Sequence, residues 1–190
     1  MNMNTGLLSD RVWPAAEGSG LARGVVLAVL GSLIVAASAQ INVPMLPVPM
    51  TLQTLAVLAI GGAYGARLGA ITLALYALEG AVGLPVFAEF KSGFMLASFG
   101  YVLGFILAAG LVGWLAERGW DRSAPRMFAA MLLGAVVLYI PGLIWLAVWV
   151  GGFGLAVQYG LTPFIVGDLV KAAIAALAFP AVHSLLGSRA

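Results

Sequence analysis

Charged residues are scarce in this sequence. Asp, Glu, Lys and Arg make up 8% of its 190 residues, 63% are hydrophobic, and the mean hydropathy is +1.08. A soluble domain carries about 25% charged residues, so water cannot be the main solvent of this chain. A spanning helix takes about 20 apolar residues, and the length has room for about six of them in one domain. We therefore predict an all-α, polytopic membrane protein surrounded by the lipid bilayer.

Cysteine is absent, and histidine occurs once, at His183. The lack of cysteine excludes disulfides, thiolate chemistry and Cys-ligated metal, and His183 has no neighbour at ligand spacing. We interpret His183 as a histidine at the water edge of the last helix. Neither a metal nor another cofactor is predicted.

The sequence also lacks the groups that catalysis or nucleotide hydrolysis would use. It has no Gly-Lys dipeptide, hence no Walker A loop, and no HExxH pattern or pair of intramembrane carboxylates. The net charge is only +2 and no Lys/Arg run occurs, so nucleic-acid binding has no support. We predict that the chain is not an enzyme and that any energised transport must borrow its ATPase.

The first 20 residues differ from the rest because they are polar. They include Asp10, Arg11, Pro14 and Glu17 and lack the charged-then-apolar order of a signal peptide. We predict a cytoplasmic tail over 1–20 and a six-helix transmembrane, substrate-binding domain over 21–190. The predicted helices lie near 22–40, 52–65, 67–83, 97–117, 127–150 and 163–186.

A proline-rich run interrupts the apolar pattern after the first helix. Pro44, Pro47 and Pro49 each remove a backbone donor and fix φ, so the run cannot be regular helix. We predict an ordered loop or re-entrant segment. Irregular backbone in a membrane protein is tolerated where it lines a cavity, so this run is a candidate wall of a site.

The arginines are distributed asymmetrically along the predicted spans. With the N-terminus inside, all of them fall on the cytoplasmic side: Arg11, Arg23, Arg67, Arg118, Arg122, Arg126 and Arg189. The positive-inside rule then predicts six spans in the cell membrane with both termini in the cytoplasm. The same topology gathers polar residues toward the outer face, where we expect a ligand: Glu79, Glu89, Lys91, Asp168 and Lys171.

Two ionisable residues lie inside the last predicted helix. Thr162 and Pro163 resemble an N-cap and a first helical position, which places Asp168 about 7 Å and Lys171 about 12 Å into the span. Their i, i+3 spacing puts them on one helix face. Such groups are costly in a membrane and face a bundle interior or cavity. They form either a structural ion pair or part of a site for a polar solute.

Small residues recur at every fourth position of the first predicted helix, at Gly24, Ala28, Ser32 and Ala36. Such a stripe permits close approach of another helix, either within this protein or in a docked partner.

Most Trp and Tyr residues, Tyr139 among them, are interpreted as belonging to aromatic belts at the membrane interfaces. Trp145 and Tyr76 could stack on a ligand if they turn inward.

Ordered motifs give the chain a family resemblance. They are Pro47-Val48-Pro49-Met50-Thr51-Leu52-Gln53-Thr54, Gly65-Ala66-Arg67-Leu68-Gly69, Tyr76 through Gly83-Leu84-Pro85-Val86-Phe87-Ala88, Phe99-Gly100-Tyr101-Val102-Leu103-Gly104-Phe105, Pro141-Gly142-Leu143-Ile144-Trp145-Leu146, and Pro163-Phe164-Ile165-Val166-Gly167-Asp168-Leu169-Val170-Lys171. From about residue 20 to 186 the chain resembles the BioY family, the biotin-binding S components of energy-coupling factor (ECF) transporters.

This resemblance implies a six-helix S-component fold that captures biotin at the outer face, beneath loops that close over it. It also implies two kinds of partner, a transmembrane coupling protein and cytoplasmic ABC-type ATPases. The stripe of Gly24, Ala28, Ser32 and Ala36 resembles the surface on which S components dock. Rival readings are an S component for another vitamin or a metal ion, and a passive facilitator or channel.

The substrate-binding residues predicted in this way are Thr51, Gln53, Tyr76, Phe87, Glu89, Lys91, Tyr101, Trp145, Asp168 and Lys171. Asp168 is expected to accept hydrogen bonds from the two ureido N–H groups of biotin, and Lys171 or Lys91 is expected to face the carboxylate of biotin. Alternatively, Lys171 orients Asp168 and Lys91 holds the tail. The stretch from Glu89 to Tyr101 departs from the glycine-rich pattern of many relatives, which leaves the contacts of the lid open.

Overall fold

The computed structural model describes residues 6–14 and 20–187 and is mostly helical there. Its helices are α1 (Leu8–Val12), α2 (Gly20–Gln40), α3 (Gln53–Ala81), α4 (Phe99–Ala116), α5 (Ala124–Val150), α6 (Phe153–Gly160) and α7 (Ile165–Gly187). Strands β1 (Asn42–Val43) and β2 (Met50–Thr51) form an antiparallel pair. Five helical stretches of the described part are long and apolar enough to cross a membrane. The prediction of an all-α, multi-pass membrane protein is confirmed.

Helix α3 reverses direction at Gly65, where φ is 83° and ψ is 175°. Positive φ is readily adopted only without a side chain, so glycine permits this turn. A Cβ added to Gly69 would lie 3.1 Å from the Cα of Gly61. Residues eight apart in a straight helix are separated by about 12 Å, so the two halves must fold into a hairpin. These halves match the helices predicted near 52–65 and 67–83.

The chain therefore crosses the bundle six times within the described residues, through α2, the two halves of α3, α4, α5 and α7. Helix α4 is central, because Ala108, Ala109 and Val112 are fully buried between α3 and α5. The outward face of α2 is apolar and exposed, with Leu21, Leu33 and others suited to contact lipid. Six crossings bring the turns at Gly65 and Arg118 to one end of the bundle, called here the arginine end.

The proline-rich run is an ordered loop, as predicted. It joins β1 to β2, a short ladder that the sequence pattern does not predict. Two other features also differ from expectation. Helix α6 occupies a stretch that was predicted as a connection, and α7 is preceded by a 3-10 turn at Thr162–Phe164. The Thr162 hydroxyl donates to the carbonyl of Val157 at 3.1 Å, so the predicted N-cap is wrong.

The N-terminal segment folds onto the arginine end in its described part. Leu7 and Leu8 are buried, and Arg23 donates to the carbonyls of Trp13 at 2.6 Å and Ser9 at 2.7 Å. Arg23 also pairs with Asp10 at 3.0 Å. Residues 6–14 are thus attached to α2, whereas the rest of the predicted tail, 1–5 and 15–19, lies outside the described residues.

His183 connects α7 to the turn between α4 and α5. Its Nε2 lies 2.5 Å from Oδ2 of Asp121, and the two residues are 8% and 1% exposed. His183 thus lies near the end of α7, as predicted, but Asp121 covers its side chain, which is not exposed to water. Hydropathy places the residue near a helix end, but only tertiary packing decides whether a partner covers it.

Candidate functional site

A pocket lies at the end of the bundle opposite the arginines, beneath the β1–β2 hairpin. Its wall is mostly apolar and aromatic with a few polar groups, which is typical of small-molecule sites. The lining residues are Val48, Pro49, Thr51, Gln53, Thr54, Tyr76, Phe87, Ala88, Ser98, Tyr101, Val102, Phe105, Leu138, Tyr139, Phe164 and Lys171. Among these lining residues, Lys171 is the only one with a charged side chain.

Lys171 is held in place by a network that joins α3, α5 and α7. Its Nζ donates to Thr54 Oγ1 at 2.7 Å and to Asp168 Oδ1 at 3.1 Å. Thr54 donates to the same carboxylate oxygen at 3.2 Å, and the Tyr139 hydroxyl donates to the other. Because an ammonium has three donors, one remains for a ligand in the pocket.

Asp168 lies behind Lys171 and does not line the main pocket. Its side chain is only 10% exposed, and both carboxylate oxygens accept hydrogen bonds from this protein. The predicted shared face of Asp168 and Lys171 is present in the structure. Lys171 lines the pocket and Asp168 contacts it from behind, whereas one predicted alternative has Lys171 behind and orienting Asp168.

A second hydrogen-bonded chain fixes the opposite part of the wall. Gln53 donates to the Tyr76 hydroxyl at 2.7 Å, and Tyr76 donates to the carbonyl of Val86 at 3.0 Å. Thr51 donates to Oε1 of Gln53 at 3.2 Å. Tyr76 is fully buried, so its hydroxyl needs these partners. The chain ties the hairpin end to residues 82–98, which join α3 to α4 and are called the lid below.

Aromatic rings continue from this chain into the lid. Phe87 makes edge-to-face contacts with Tyr76 at 5.4 Å and with Phe99 at 6.2 Å between ring centroids. Phe99 contacts Trp145 at 5.9 Å, and the indole N–H of Trp145 donates to the carbonyl of Leu96. Trp145 therefore contacts the lid from behind and is not among the residues that line the pocket, and its predicted ligand contact stays a prediction.

The lid also places Glu89 and Lys91 away from the pocket wall. Their side chains are 35% and 54% exposed and pair with each other at 2.5 Å. Of the predicted binding residues, the structure brings together Thr51, Gln53, Tyr76, Phe87, Tyr101 and Lys171. It leaves Glu89, Lys91, Trp145 and Asp168 outside the main wall.

Comparison with known proteins gives this architecture a family. The sequence model of the BioY family matches residues 7–188. The chain belongs to the BioY family. The predicted resemblance over about 20–186 is thereby confirmed.

Named relatives match most of this BioY chain. The biotin transporter BioY of Thermotoga maritima is 35% identical over 158 residues, covering 82% of this chain and 92% of the relative. The probable biotin transporter BioY of Pyrococcus horikoshii is 39% identical, with 82% and 93% covered. The biotin transporter BioY of Rhizobium etli is 37% identical, with 87% and 97% covered.

The fold is similar to that of a solved structure. That structure is the 2.1 Å crystal structure of the S-component for biotin from an ECF-type ABC transporter. The TM-score is 0.74 at 22% identity, covering 90% of this chain and 94% of the other. This likeness confirms the S-component fold for the BioY chain.

Two further polar residues line the pocket that the sequence analysis does not predict there, Thr54 and Tyr139. Tyr139 was assigned to an interfacial belt, and Thr54 was part of a motif without a role of its own. Tyr139 lies near the middle of α5, where a hydroxyl in an apolar span needs a hydrogen-bond partner. That requirement is the signal that could have connected both hydroxyls with the buried Asp168 and Lys171.

The small-residue stripe on α2 turns largely inward in this BioY chain. Ala28 is 5% exposed and Ser32 is fully buried, and the Ser32 hydroxyl lies 3.2 Å from Oε1 of Glu79. Both positions are covered within this chain, as the internal-packing alternative predicts, and the docking role stays a prediction. Ala36 is half-buried, and Gly24 is half-buried with open space where a Cβ would point.

Proposed function

We propose that this protein is the membrane-embedded substrate-binding component that captures biotin for import. Its membership of the BioY family and the names of its relatives support this reading. The observation that carries it is the Lys171 ammonium, presented at the wall of an aromatic pocket and held there by Asp168.

Biotin combines an apolar ring system with a carboxylate at the end of its chain, and the pocket has groups for both. Lys171 is proposed to bind the carboxylate, since charge-assisted hydrogen bonds are the strong ones. Tyr76, Phe87 and Tyr101 offer apolar surface to the ring. The ureido group is assigned to uncharged polar groups of the wall such as Gln53, because Asp168 lies outside the main pocket and both of its carboxylate oxygens already accept hydrogen bonds from this protein.

Binding of labelled biotin to the purified protein in detergent tests the function. We expect saturable binding that unlabelled biotin competes away and that a panel of other vitamins does not. Preferential binding of another vitamin would retain the S-component reading and replace the substrate. Transport across vesicles without binding would favour the passive facilitator instead.

The orientation in the membrane is proposed from the arginine asymmetry. The arginine end faces the cytoplasm, with both termini and the turn near Ser123, and the pocket faces outward. Reporter fusions should find the position after Ser123 inside and the position after Lys91 outside. A fusion after Ser123 that reports from outside would contradict this orientation.

Energised import is proposed to need a transmembrane coupling protein and ABC-type ATPase subunits, docked on the accessible part of α2. Gly24→Trp should reduce co-purification with the coupling protein several-fold while biotin binding persists, because the new ring fills open space at that surface. Gly154→Trp on α6 is the matched control, since its Cβ would also meet nothing within 4 Å. If Gly24→Trp and Gly154→Trp co-purify equally well with the coupling protein, the docking surface does not include the accessible part of α2.

A further inference from the structure

The side chain of Gln40, the last residue of α2, bridges two backbone groups of the lid. Its Nε2 donates to the carbonyl of Phe87 at 3.0 Å, and its Oε1 accepts from the backbone N–H of Phe90 at 3.2 Å. Gln40 does not line the pocket, so it touches the turn over the pocket and not the proposed solute. A carboxamide that both donates to and accepts from one turn fixes its position in two directions.

The turn held by Gln40 has an uncommon backbone. Glu89 and Phe90 have φ of 60° and 56°, in the left-handed region that residues with side chains seldom adopt. Phe90 is 69% exposed as a residue, and the side chain of Lys91 is 54% exposed, so neither anchors the turn by burial. Such a conformation persists only when surrounding contacts impose it, and the two hydrogen bonds from Gln40 are contacts of that kind.

Phe87 connects this turn to the pocket. It is 3% exposed and forms part of the pocket wall. Its ring lies on Gly80, where an added Cβ would be 2.0 Å from Phe87 Cζ. A shift of the turn would move the Phe87 ring away from Gly80 and open the pocket wall on the side of the lid.

We propose that Gln40 is a positioning residue that holds the turn at 87–91 closed over the pocket and thereby sets how fast the solute enters and leaves. The inference rests on the proposed function insofar as the solute is biotin. The closing contact itself is independent of which solute binds.

Trypsin provides a readout of lid opening without any solute, because Lys91 lies in the turn and a protease needs a locally opened segment. In Gln40→Leu, cleavage after Lys91, identified by fragment mass, should be about tenfold faster than in the unmodified protein, as expected for losing two hydrogen bonds. Association and dissociation rates of labelled biotin should both rise, with a smaller change in Kd. Gln40→Glu retains the hydrogen-bond acceptor and the length of the side chain. Its cleavage rate should lie between those of Gln40→Leu and the unmodified protein. Gln158 is an exposed glutamine of α6, so Gln158→Leu is the control and should change neither the cleavage rate nor the biotin-binding rates.

The outcomes separate this inference from the proposed function. Faster cleavage in Gln40→Leu supports the lid role even if no form of the protein binds biotin, in which case the proposed substrate fails alone. Unchanged cleavage in both Gln40 variants overturns the lid role. Slower association with faster dissociation and unchanged cleavage also overturns it, since Gln40 would then shape the pocket itself.

Discussion

Replacing Lys171 with methionine is expected to weaken biotin binding about a hundredfold or more. The substitution retains most of the length of the side chain but removes the only charged group among the described lining residues of the pocket. Truncating one partner of a buried, hydrogen-bonded charge pair costs about 2–5 kcal/mol, and about 2.7 kcal/mol corresponds to a hundredfold change in Kd. The loss should appear in equilibrium binding of labelled biotin.

Lys91→Met is the matched control, because Lys91 is exposed and paired with Glu89 outside the wall. Its effect on Kd should be less than about twofold, in keeping with the small worth of surface ion pairs. Biotin amide, which lacks the carboxylate charge, should bind Lys171→Met and the unmodified protein with a smaller difference than biotin does. If Lys91→Met weakens biotin binding more than Lys171→Met, the lid lysine holds the tail and the assignment is wrong.

The local parts of the site could be predicted from the sequence. Helical periodicity determines that residues three apart share a face, so Asp168 and Lys171 had to be neighbours wherever α7 packed. The cost of burying charge in a membrane required partners for them. The six crossings followed from hydropathy, including the reversal between 65 and 67, because glycine and arginine interrupt the apolar run at that point.

Other parts depend on which way an element faces after packing, and the sequence does not encode this locally. Ala28 and Ser32 suit a docking surface and an internal helix contact equally well, since both need small side chains. Trp145 is amphipathic, so it can face a ligand, lipid or the lid carbonyl that it actually contacts. Lys91 is close to Phe87 in sequence, yet the turn of the lid places Phe87 in the pocket wall and Lys91 at the surface.

Substituting Gly113 by alanine is expected to lower the stability of the fold markedly, because the Gly65 turn packs directly on this position of α4. The added Cβ would lie 2.3 Å from the carbonyl carbon of Gly65 and 2.4 Å from the nitrogen of Ala66. Both atoms belong to the backbone and cannot swing aside as a side chain would. Overpacking of this kind costs about 1–3 kcal/mol, and more where the backbone must move.

Gly110→Ala, one turn earlier on the same helix, separates this clash from the general effect of replacing glycine. Its Cβ would meet Ala70 Cβ at 3.8 Å, an ordinary contact, and the gain in helix propensity should leave stability unchanged or slightly higher. Thermal unfolding in detergent, followed by the loss of the monodisperse species, compares the two variants. If Gly113→Ala unfolds at the same temperature as Gly110→Ala, the turn does not press on α4.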